Sequence, residues 1–257
     1  MKAVILAGGF GTRLAEETDV KPKPMVEVGG RPLLWHIMKH YAHYGTSEFV
    51  VPLGYRGDVI RRYFVDCATL RRTFSVDLRS GRVRADDDAA GEPWQVQLVE
   101  TGVETNTGGR LHMLERWLRA EPFFLTYGDG VSDVDLAALL AFHRAHGRLA
   151  TVTAVRPPAR FGGLELDGDR VAAFSEKPEI GEGWINGGFF VLEPDVFDYL
   201  HGGDVSLEHD VLSRLAQQDQ LRAFRHTGFW QCMDTLRDLR LLQGLWSSEC
   251  PPWKVWS

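Results

Sequence analysis

Leu6-Ala7-Gly8-Gly9-Phe10-Gly11-Thr12-Arg13-Leu14 is the stretch that decides the fold of this 257-residue chain. The apolar run 2–7 leads directly into it and predicts a buried parallel strand. The glycines that follow allow a sharp turn and a close approach of the backbone to a ligand. Free N–H groups in such a turn form an anion site, and Arg13 adds a planar cation suited to phosphate oxygens. We therefore predict a cradle for a nucleoside triphosphate at the C-terminal edge of the first strand.

Two common phosphate-binding loops do not fit these glycines. A Walker A loop requires Gly-Lys-Ser/Thr after four intervening residues, and no lysine follows at that spacing. A dinucleotide fingerprint requires a third glycine where Leu14 stands. A plain glycine turn between strand and helix is the blander alternative, but it explains neither Arg13 nor the basic segment that comes next.

That basic segment is Lys21-Pro22-Lys23-Pro24. Each proline fixes its own φ and disfavours the helical region for the residue before it, so Lys21 and Lys23 are expected to be extended. A stiffened lysine can be aimed at a phosphate. A solvated basic linker is the alternative, and the adjacent glycine turn favours the functional interpretation.

Composition limits the classes of function. A net charge of −6 argues against non-specific nucleic-acid binding, and 44% apolar residues support a sizeable core. Three scattered cysteines form no metal or redox motif, which favours a reducing compartment. No apolar run approaches the roughly 20 residues of a membrane span, and the chain begins in a strand rather than a signal peptide. We expect a cytoplasmic protein without a nucleic-acid or membrane partner.

Further polar motifs follow predicted strands or open predicted helices. Thr107-Gly108-Gly109-Arg110 opens a helix that Thr107 can cap. Asp129 follows the apolar strand 123–127, where a carboxylate and its flanking glycines leave room for Mg²⁺ and its waters. Asn186 can donate and accept hydrogen bonds to a sugar hydroxyl. An ordinary helix start, a turn aspartate and a turn asparagine are the respective structural alternatives.

The sequence places three histidines near the first predicted helix, namely His36, His40 and His43. They lack a convergent carboxylate or cysteine, so we predict surface or packing residues and not zinc ligands.

Together these motifs resemble the sugar-1-phosphate nucleotidyltransferases, and their combination resembles the cytidylyl branch. The resemblance runs the length of the chain through the two motifs at 6–14 and 21–25, then 107–111, 127–130, 176–178, 185–191, 229–235 and 252–256. It departs at Cys232, where the branch tends to carry proline, which loosens the local turn. The family implies a Rossmann-like, three-layer α/β/α fold with a mixed, mostly parallel sheet and small β-hairpin insertions. We expect one domain over 1–257, with an insertion at about 65–93 and a C-terminal helix and tail at about 235–257.

The resemblance also implies roles for individual residues. Lys23, Arg13 and Asp129 would be catalytic, and Asp129 with Asp234 would hold Mg²⁺. The implied nucleotide-binding residues are Leu6, Ala7, Gly8, Gly9, Gly11, Thr12, Arg13, Lys23, Thr107, Gly108, Gly109 and Arg110. The implied sugar-phosphate residues are Tyr127, Gly128, Glu176, Lys177, Asn186 and Gly187. The implied substrates are CTP and glucose 1-phosphate, and the implied assembly is a homo-oligomer, a hexamer in this branch.

Two other functions stay open at this point. One is a uridylyl- or thymidylyltransferase with the same chemistry, because physical reasoning from the residues does not distinguish cytosine from uracil. The other is a non-catalytic protein that binds nucleotide sugars. A thiol nucleophile at Cys232 beside His226 lacks any activating neighbour in the sequence.

Overall fold

The computed structural model describes residues 1–9, 20–69, 73–85, 91–157, 163–167, 170–175, 183–201 and 204–256. Its centre is a seven-stranded sheet in the order β14-β10-β13-β8-β1-β4-β7. These strands are β1 (Ala3–Leu6), β4 (Glu48–Leu53), β7 (Gln95–Glu100), β8 (Phe123–Tyr127), β10 (Ala150–Val155), β13 (Ile185–Leu192) and β14 (Leu221–Arg225).

The sheet is mostly parallel, as predicted. β1 runs parallel to both β4 and β8, and β13 runs antiparallel to β8 and to β10. The register pairs Leu6 with Tyr127, so β1 and β8 end side by side. Ligands of open α/β sheets bind outside such carboxyl ends, which places the predicted site at this edge.

Helices cover both faces of the sheet. They are α1 (Leu33–His43), α2 (Gly57–Thr69), α3 (Thr107–His112), α4 (Glu115–Leu118), α5 (Leu136–His146), α6 (Ser213–Gln217) and α7 (Leu236–Trp246), with 3₁₀ turns at Lys23–Met25 and Pro194–Tyr199 and a π-helix at Leu207–Leu212. The described residues form two hydrophobic cores, and alternate residues of β1 pack into them. Ile5 packs with residues of α1, and Val4 packs with Leu111 of α3. The predicted three-layer α/β/α arrangement is confirmed.

Short two-stranded elements complete the fold. β2 (Glu27–Val28) pairs with β3 (Arg31–Pro32), β5 (Phe74–Asp77) pairs with β6 (Arg82–Ala85), β11 (Gly163–Asp167) pairs with β12 (Arg170–Ser175), and β9 (Gly130–Ser132) pairs with β15 (Trp230–Cys232). The pairs β5–β6 and β11–β12 are small β-hairpins of the kind predicted as insertions. The organisation of the chain as one domain stays a prediction.

The first helix begins later than its sequence pattern suggests. The spacing of apolar residues predicts a helix over 31–44, but Arg31–Pro32 forms β3 against β2, so α1 starts at Leu33. The imidazole of His36 is buried and bonds the Val28 carbonyl at 2.9 Å, and that of His40 is buried against the Val134 carbonyl at 2.8 Å. Burial lowers the pKa of each histidine to about 4. Both are neutral packing residues, as predicted.

The aromatic tail folds back onto its own chain. Trp253 is 1% exposed, lies against His36 and stacks on Trp246 and Phe229. Within the described ranges, no helix is both long and apolar enough to cross a membrane.

Candidate active site

A cleft of about 560 Å³ opens where β1 and β8 end. Its lining combines the glycine turn, the lysine segment, the loop before α3 and two distant carboxylates. The lining residues are Leu6, Ala7, Gly8, Gly9, Lys23, Pro24, Val103, Glu104, Thr105, Asn106, Thr107, Arg110, Tyr127, Gly128, Asp129 and Asp234. Most of the nucleotide-binding residues predicted from sequence therefore share one cavity.

Lys23 is the central cation of this cleft. Its ammonium Nζ lies 2.9 Å from Asp129 Oδ2 and also contacts Asp234 Oδ1. Lys23 opens a 3₁₀ turn, in which the Met25 N–H donates to the Pro22 carbonyl, whereas we expected an extended residue. Pro22 itself is extended, and Pro24 is accommodated inside the turn. The predicted extended conformation is therefore wrong for Lys23, and the stiffening of the segment by its prolines stays a prediction.

Opposing effects set the charge of Lys23. Burial by itself would lower the pKa of the ammonium, and the ion pairs and hydrogen bonds with Asp129 and Asp234 outweigh it. The pKa of Lys23 is therefore raised above its ordinary value, and the side chain is charged at neutral pH.

Asp129 is brought to the cleft by the junction after β8. The Gly128 N–H donates to the Leu6 carbonyl at 2.9 Å, which ties this junction to the end of β1. A Cβ on Gly128 would lie 2.8 Å from that carbonyl oxygen and 2.8 Å from Pro24 Cγ. Only glycine allows so close an approach, so Gly128 serves the packing beneath the site.

Asp234 arrives from the far end of the chain through the pairing of β9 with β15. The Met233 N–H donates to the Asp129 carbonyl at 2.7 Å, which holds the two aspartates next to each other. Asp238 Oδ2 then accepts from the Asp234 N–H at 3.0 Å, as part of a capping box with Thr235 that starts α7. The two predicted metal ligands thus face one cleft.

The two carboxylates suit a hydrated hard cation. They converge on a point that already holds a positive group, the Lys23 ammonium. Across the described ranges, no cluster of three or more His, Cys, Asp or Glu side chains has metal-binding geometry. Mg²⁺ binds through one or two carboxylates and keeps several waters, so this donor set fits it better than it fits Zn²⁺.

Arg110 is buried in the wall of the cleft. Its Nη1 donates to Thr101 Oγ1 and to the Gly102 carbonyl, each at 2.7 Å, and its Nη2 donates to the Gly8 and Val103 carbonyls, each at 3.0 Å. Burial lowers the pKa of the guanidinium below its ordinary value. Arg110 therefore joins the glycine turn to the loop at 101–103, and its contact with a nucleotide stays a prediction.

The start of α3 differs from the predicted capping. Asn106, rather than Thr107, is the N-cap, because its Oδ1 accepts from the Thr107 N–H at 2.8 Å. Gly108 and Gly109 do not line the cleft, since they face the segment before the π-helix. A Cβ on Gly108 would lie 2.7 Å from the Val205 carbonyl oxygen.

The residues predicted for the sugar phosphate meet beside Asp129. Asn186 Nδ2 donates to the Tyr127 hydroxyl at 3.2 Å, and Trp230 Nε1 donates to the Gly187 carbonyl at 2.7 Å. A cavity of about 30 Å³ lies among them. Gly11, Thr12, Arg13, Glu176 and Lys177 lie outside the described residues.

Cys232 lies close to both aspartates. Burial, followed by the charges of Asp234 and Asp129, raises the pKa of the thiol to about 12. This raised pKa disfavours the thiolate at neutral pH and argues against the thiol-nucleophile alternative.

Sequence reasoning missed two residues that support this site. Asp238 stands three positions after Thr235, so the capping-box pattern would have revealed it. Glu208 receives hydrogen bonds from Thr107 and Tyr127, which lie 101 and 81 positions away, and no local pattern signals such contacts.

Comparisons with known proteins identify the family of this chain. The family model for nucleotidyl transferases matches residues 2–240. A glucose-1-phosphate cytidylyltransferase of Salmonella typhi is 49% identical over 257 residues that cover both chains completely. A Bacillus subtilis protein named "Probable glucose-1-phosphate cytidylyltransferase" is 42% identical over the full length of both chains. The crystal structure of HddC from Yersinia pseudotuberculosis shares the fold, with a TM-score of 0.69 and 24% identity over 96% of this chain and 99% of that one.

The chain belongs to the nucleotidyl transferase family. The predicted enzyme class is confirmed, and so is the resemblance to the cytidylyl branch.

Proposed function

We propose that this protein transfers a cytidylyl group from CTP to α-D-glucose 1-phosphate, giving CDP-glucose and pyrophosphate. The observation that carries the proposal is the convergence of Lys23, Asp129 and Asp234 in a cleft between the glycine turn and the end of β8. The full-length similarity to the Salmonella typhi cytidylyltransferase supports the choice of substrates.

In this reaction, a phosphate oxygen of the sugar 1-phosphate attacks the α-phosphorus of CTP in line. A new P–O bond forms as the bond to pyrophosphate breaks. The nucleophile is already an anion, so positioning and charge neutralisation supply the catalysis, and a strong general base is not required.

The cleft residues have distinct proposed roles. Lys23 Nζ neutralises charge on the α-phosphate, and Gly8, Gly9, Gly11, Thr12 and Arg13 bind the triphosphate. Lys177 binds the phosphate of the sugar phosphate and Glu176 its hydroxyls, and Tyr127 and Asn186 also bind this substrate. Asp129 and Asp234 would hold Mg²⁺, which when bound supplies positive charge between the two phosphate groups.

We also propose a cytoplasmic homo-oligomer. The hairpin β5–β6 supports an assembly, because Leu78 is 91% exposed and Val83 is 56% exposed, and a subunit contact would cover such apolar side chains. Light scattering coupled to size exclusion tests the assembly. A monomer at micromolar concentration would contradict it.

A substrate panel tests the reaction. Four nucleoside triphosphates are paired with glucose, mannose and galactose 1-phosphates, with and without Mg²⁺, and pyrophosphate release is followed. We expect the fastest turnover with CTP and glucose 1-phosphate. A preference for UTP or dTTP would select the alternative transferases, and no turnover with any pair would favour a non-catalytic binding protein.

A further inference from the structure

Glu208 lies behind the cleft, at the start of the π-helix Leu207–Leu212. Its carboxylate accepts hydrogen bonds from three hydroxyls, those of Tyr127 at 2.6 Å, Thr107 at 2.7 Å and Ser206 at 3.0 Å. Burial would raise the pKa of Glu208, and these bonds outweigh it and lower that pKa. The side chain is therefore an ionised acceptor with a fixed position.

The donors come from two segments of the cleft lining. Thr107 opens α3 beside the loop at 103–106, and Tyr127 ends β8 beside Asp129. Tyr127 also borders the small cavity with Asn186, whose Nδ2 donates to the Tyr127 hydroxyl at 3.2 Å. Glu208 lines neither cavity, so any effect it has on a ligand passes through its partners.

The backbone fixes the distance between Glu208 and Thr107. The Leu207 N–H donates to Thr107 Oγ1 at 3.0 Å, and the Gly109 N–H donates to the Val205 carbonyl at 3.1 Å. Thr107 Oγ1 therefore accepts from the Leu207 N–H and donates to Glu208 at 2.7 Å, and within the described ranges its only other acceptor is more distant, Asn106 Oδ1 at 3.5 Å. A shift of the π-helix would move both segments of the cleft lining together.

We propose that Glu208 is a positioning residue that couples the nucleotide side of the cleft to the sugar-phosphate side. One carboxylate orients the Thr107 hydroxyl near the nucleotide and the Tyr127 hydroxyl near the sugar phosphate. This inference rests on the proposed function, because it assigns the two substrates to those two segments. It adds a residue that touches neither substrate.

The test is steady-state kinetics of Glu208→Gln with both substrates varied. Glutamine keeps the shape, but it replaces one carboxylate oxygen by an NH₂ donor, so at least one hydroxyl loses its acceptor. We expect KM to rise on the order of 10-fold for CTP and for glucose 1-phosphate, because one hydroxyl loses its acceptor and the other loses the negative charge of its acceptor, with a smaller change in kcat. The control is Glu115→Gln, which removes exposed contacts with Arg119 at 2.7 Å and with His112 at 3.9 Å, both outside the cleft.

Variants that remove only one of the two hydroxyls sharpen the test. Tyr127→Phe should raise mainly the KM for glucose 1-phosphate, and Thr107→Val mainly the KM for CTP. If Glu208→Gln does not fold, the double variant of Thr107 and Tyr127 replaces it, and its effects should differ from the sum of the single effects because both hydroxyls share one carboxylate.

The outcomes separate this inference from the proposed function. Wild-type turnover with both KM values unchanged in Glu208→Gln, or additive effects in the double variant, would overturn the role of Glu208 alone. A lower unfolding midpoint without a change in KM would reduce Glu208 to a purely structural residue and would also overturn it. Absence of wild-type turnover would overturn the proposed function, and this inference with it.

Discussion

Lys23 and Arg110 are two buried cations in the lining of one cleft, and they differ in what neutralises them. Lys23 faces two carboxylates, and these ion pairs raise its pKa. Arg110 faces backbone carbonyls and a threonine hydroxyl, and burial lowers its pKa. Both stay charged at neutral pH, because the ordinary pKa of arginine is far higher.

The comparison separates a cation that can change partners from one that cannot. The carboxylates around Lys23 can be shared with another cation, and its ammonium can then turn to a phosphate. The carbonyls around Arg110 belong to the backbone of the cleft, and of the Gly8, Gly102 and Val103 carbonyls the Gly8 one also accepts from the Tyr55 N–H at 3.2 Å. Loss of Lys23 should therefore reduce the reaction rate, and loss of Arg110 should reduce stability.

The largest expected effect is on turnover in Lys23→Ala. Removal of a preorganised charge should lower kcat on the order of 10²–10³, roughly 3–4 kcal/mol of transition-state stabilisation. Pyrophosphate release at saturating substrates measures it. The control is Lys39→Ala, whose ammonium forms a surface ion pair 3.3 Å from Glu92. A near-normal rate in Lys23→Ala would remove this residue from the mechanism.

The next largest expected effect is a lower free energy of unfolding in Arg110→Met. Methionine fills part of the space but removes the Arg110 donor from the Gly102 and Val103 carbonyls, at about 1–3 kcal/mol for each group that finds no water, while the Gly8 carbonyl keeps the Tyr55 N–H. We expect the free energy of unfolding to fall by about 3 kcal/mol in urea titrations. Arg116→Met is the matched control. The Arg116 guanidinium lies 3.7 Å from the Trp117 ring centroid and forms no ion pair with the residues of α4. Equal losses in the two variants would show that Arg110 is not a fixed cation of the cleft.

A smaller effect should appear in the Mg²⁺ requirement of Asp234→Asn. The amide keeps the size of the side chain but removes one of two converging charges, so half-maximal turnover should need about 10-fold more Mg²⁺. A Mg²⁺ titration of initial rates measures it, with exposed Asp195→Asn as the control. An unchanged requirement would mean that Asp234 serves only as a partner of Lys23.

The smallest expected effect is a pH dependence of stability, and it extends the comparison to His40. Like Arg110, His40 is buried against a backbone carbonyl, but its ordinary pKa is near 6.5, so burial suppresses its charge. Its pKa is about 4 in the folded state, so the unfolded chain binds more protons below pH 6.5. Stability should therefore fall as pH drops from 6.5 towards 4, by roughly 1 kcal/mol in the first unit for each such histidine.

Urea titrations at pH 7 and 5.5 measure this slope, and His40→Gln should reduce it. His36 has a pKa of about 4 for the same reason and should account for a similar share. If His40→Gln left the slope unchanged, His40 would not be a buried neutral base.

The sequence predicted the parts of the site that depend on local rules. Glycines after an apolar strand and prolines beside Lys23 indicated the cleft, and Asp129 follows an apolar strand. Asp234 was predicted only through the family resemblance. Contacts between distant segments were beyond those rules. Asp234 meets Lys23 across 211 positions, and Arg110 reaches Gly8 across 102. The local sequence around these residues contains no pattern that predicts either hydrogen bond.

The local errors have a shared physical cause. Thr107 was expected to cap α3, but its hydroxyl donates to Glu208 and Asn106 caps the helix instead. Arg31 was expected in a helix, but backbone pairing with Val28 holds it in β3. In both cases a tertiary or hairpin partner competed with the local preference, and the partner is not visible in the few neighbouring residues.

The central place of β1 has a consequence for how the chain folds. Ala3 pairs with Phe49 of β4 on one side and with Phe124 of β8 on the other. The hydrogen bonds of β1 to β8 can therefore form only after a segment about 120 positions away has been synthesised. Closing so long a loop has a large entropic cost and slows folding. During synthesis, β1 and β4 would expose one open apolar edge until β8 leaves the ribosome, and chaperone binding should be concentrated in that interval.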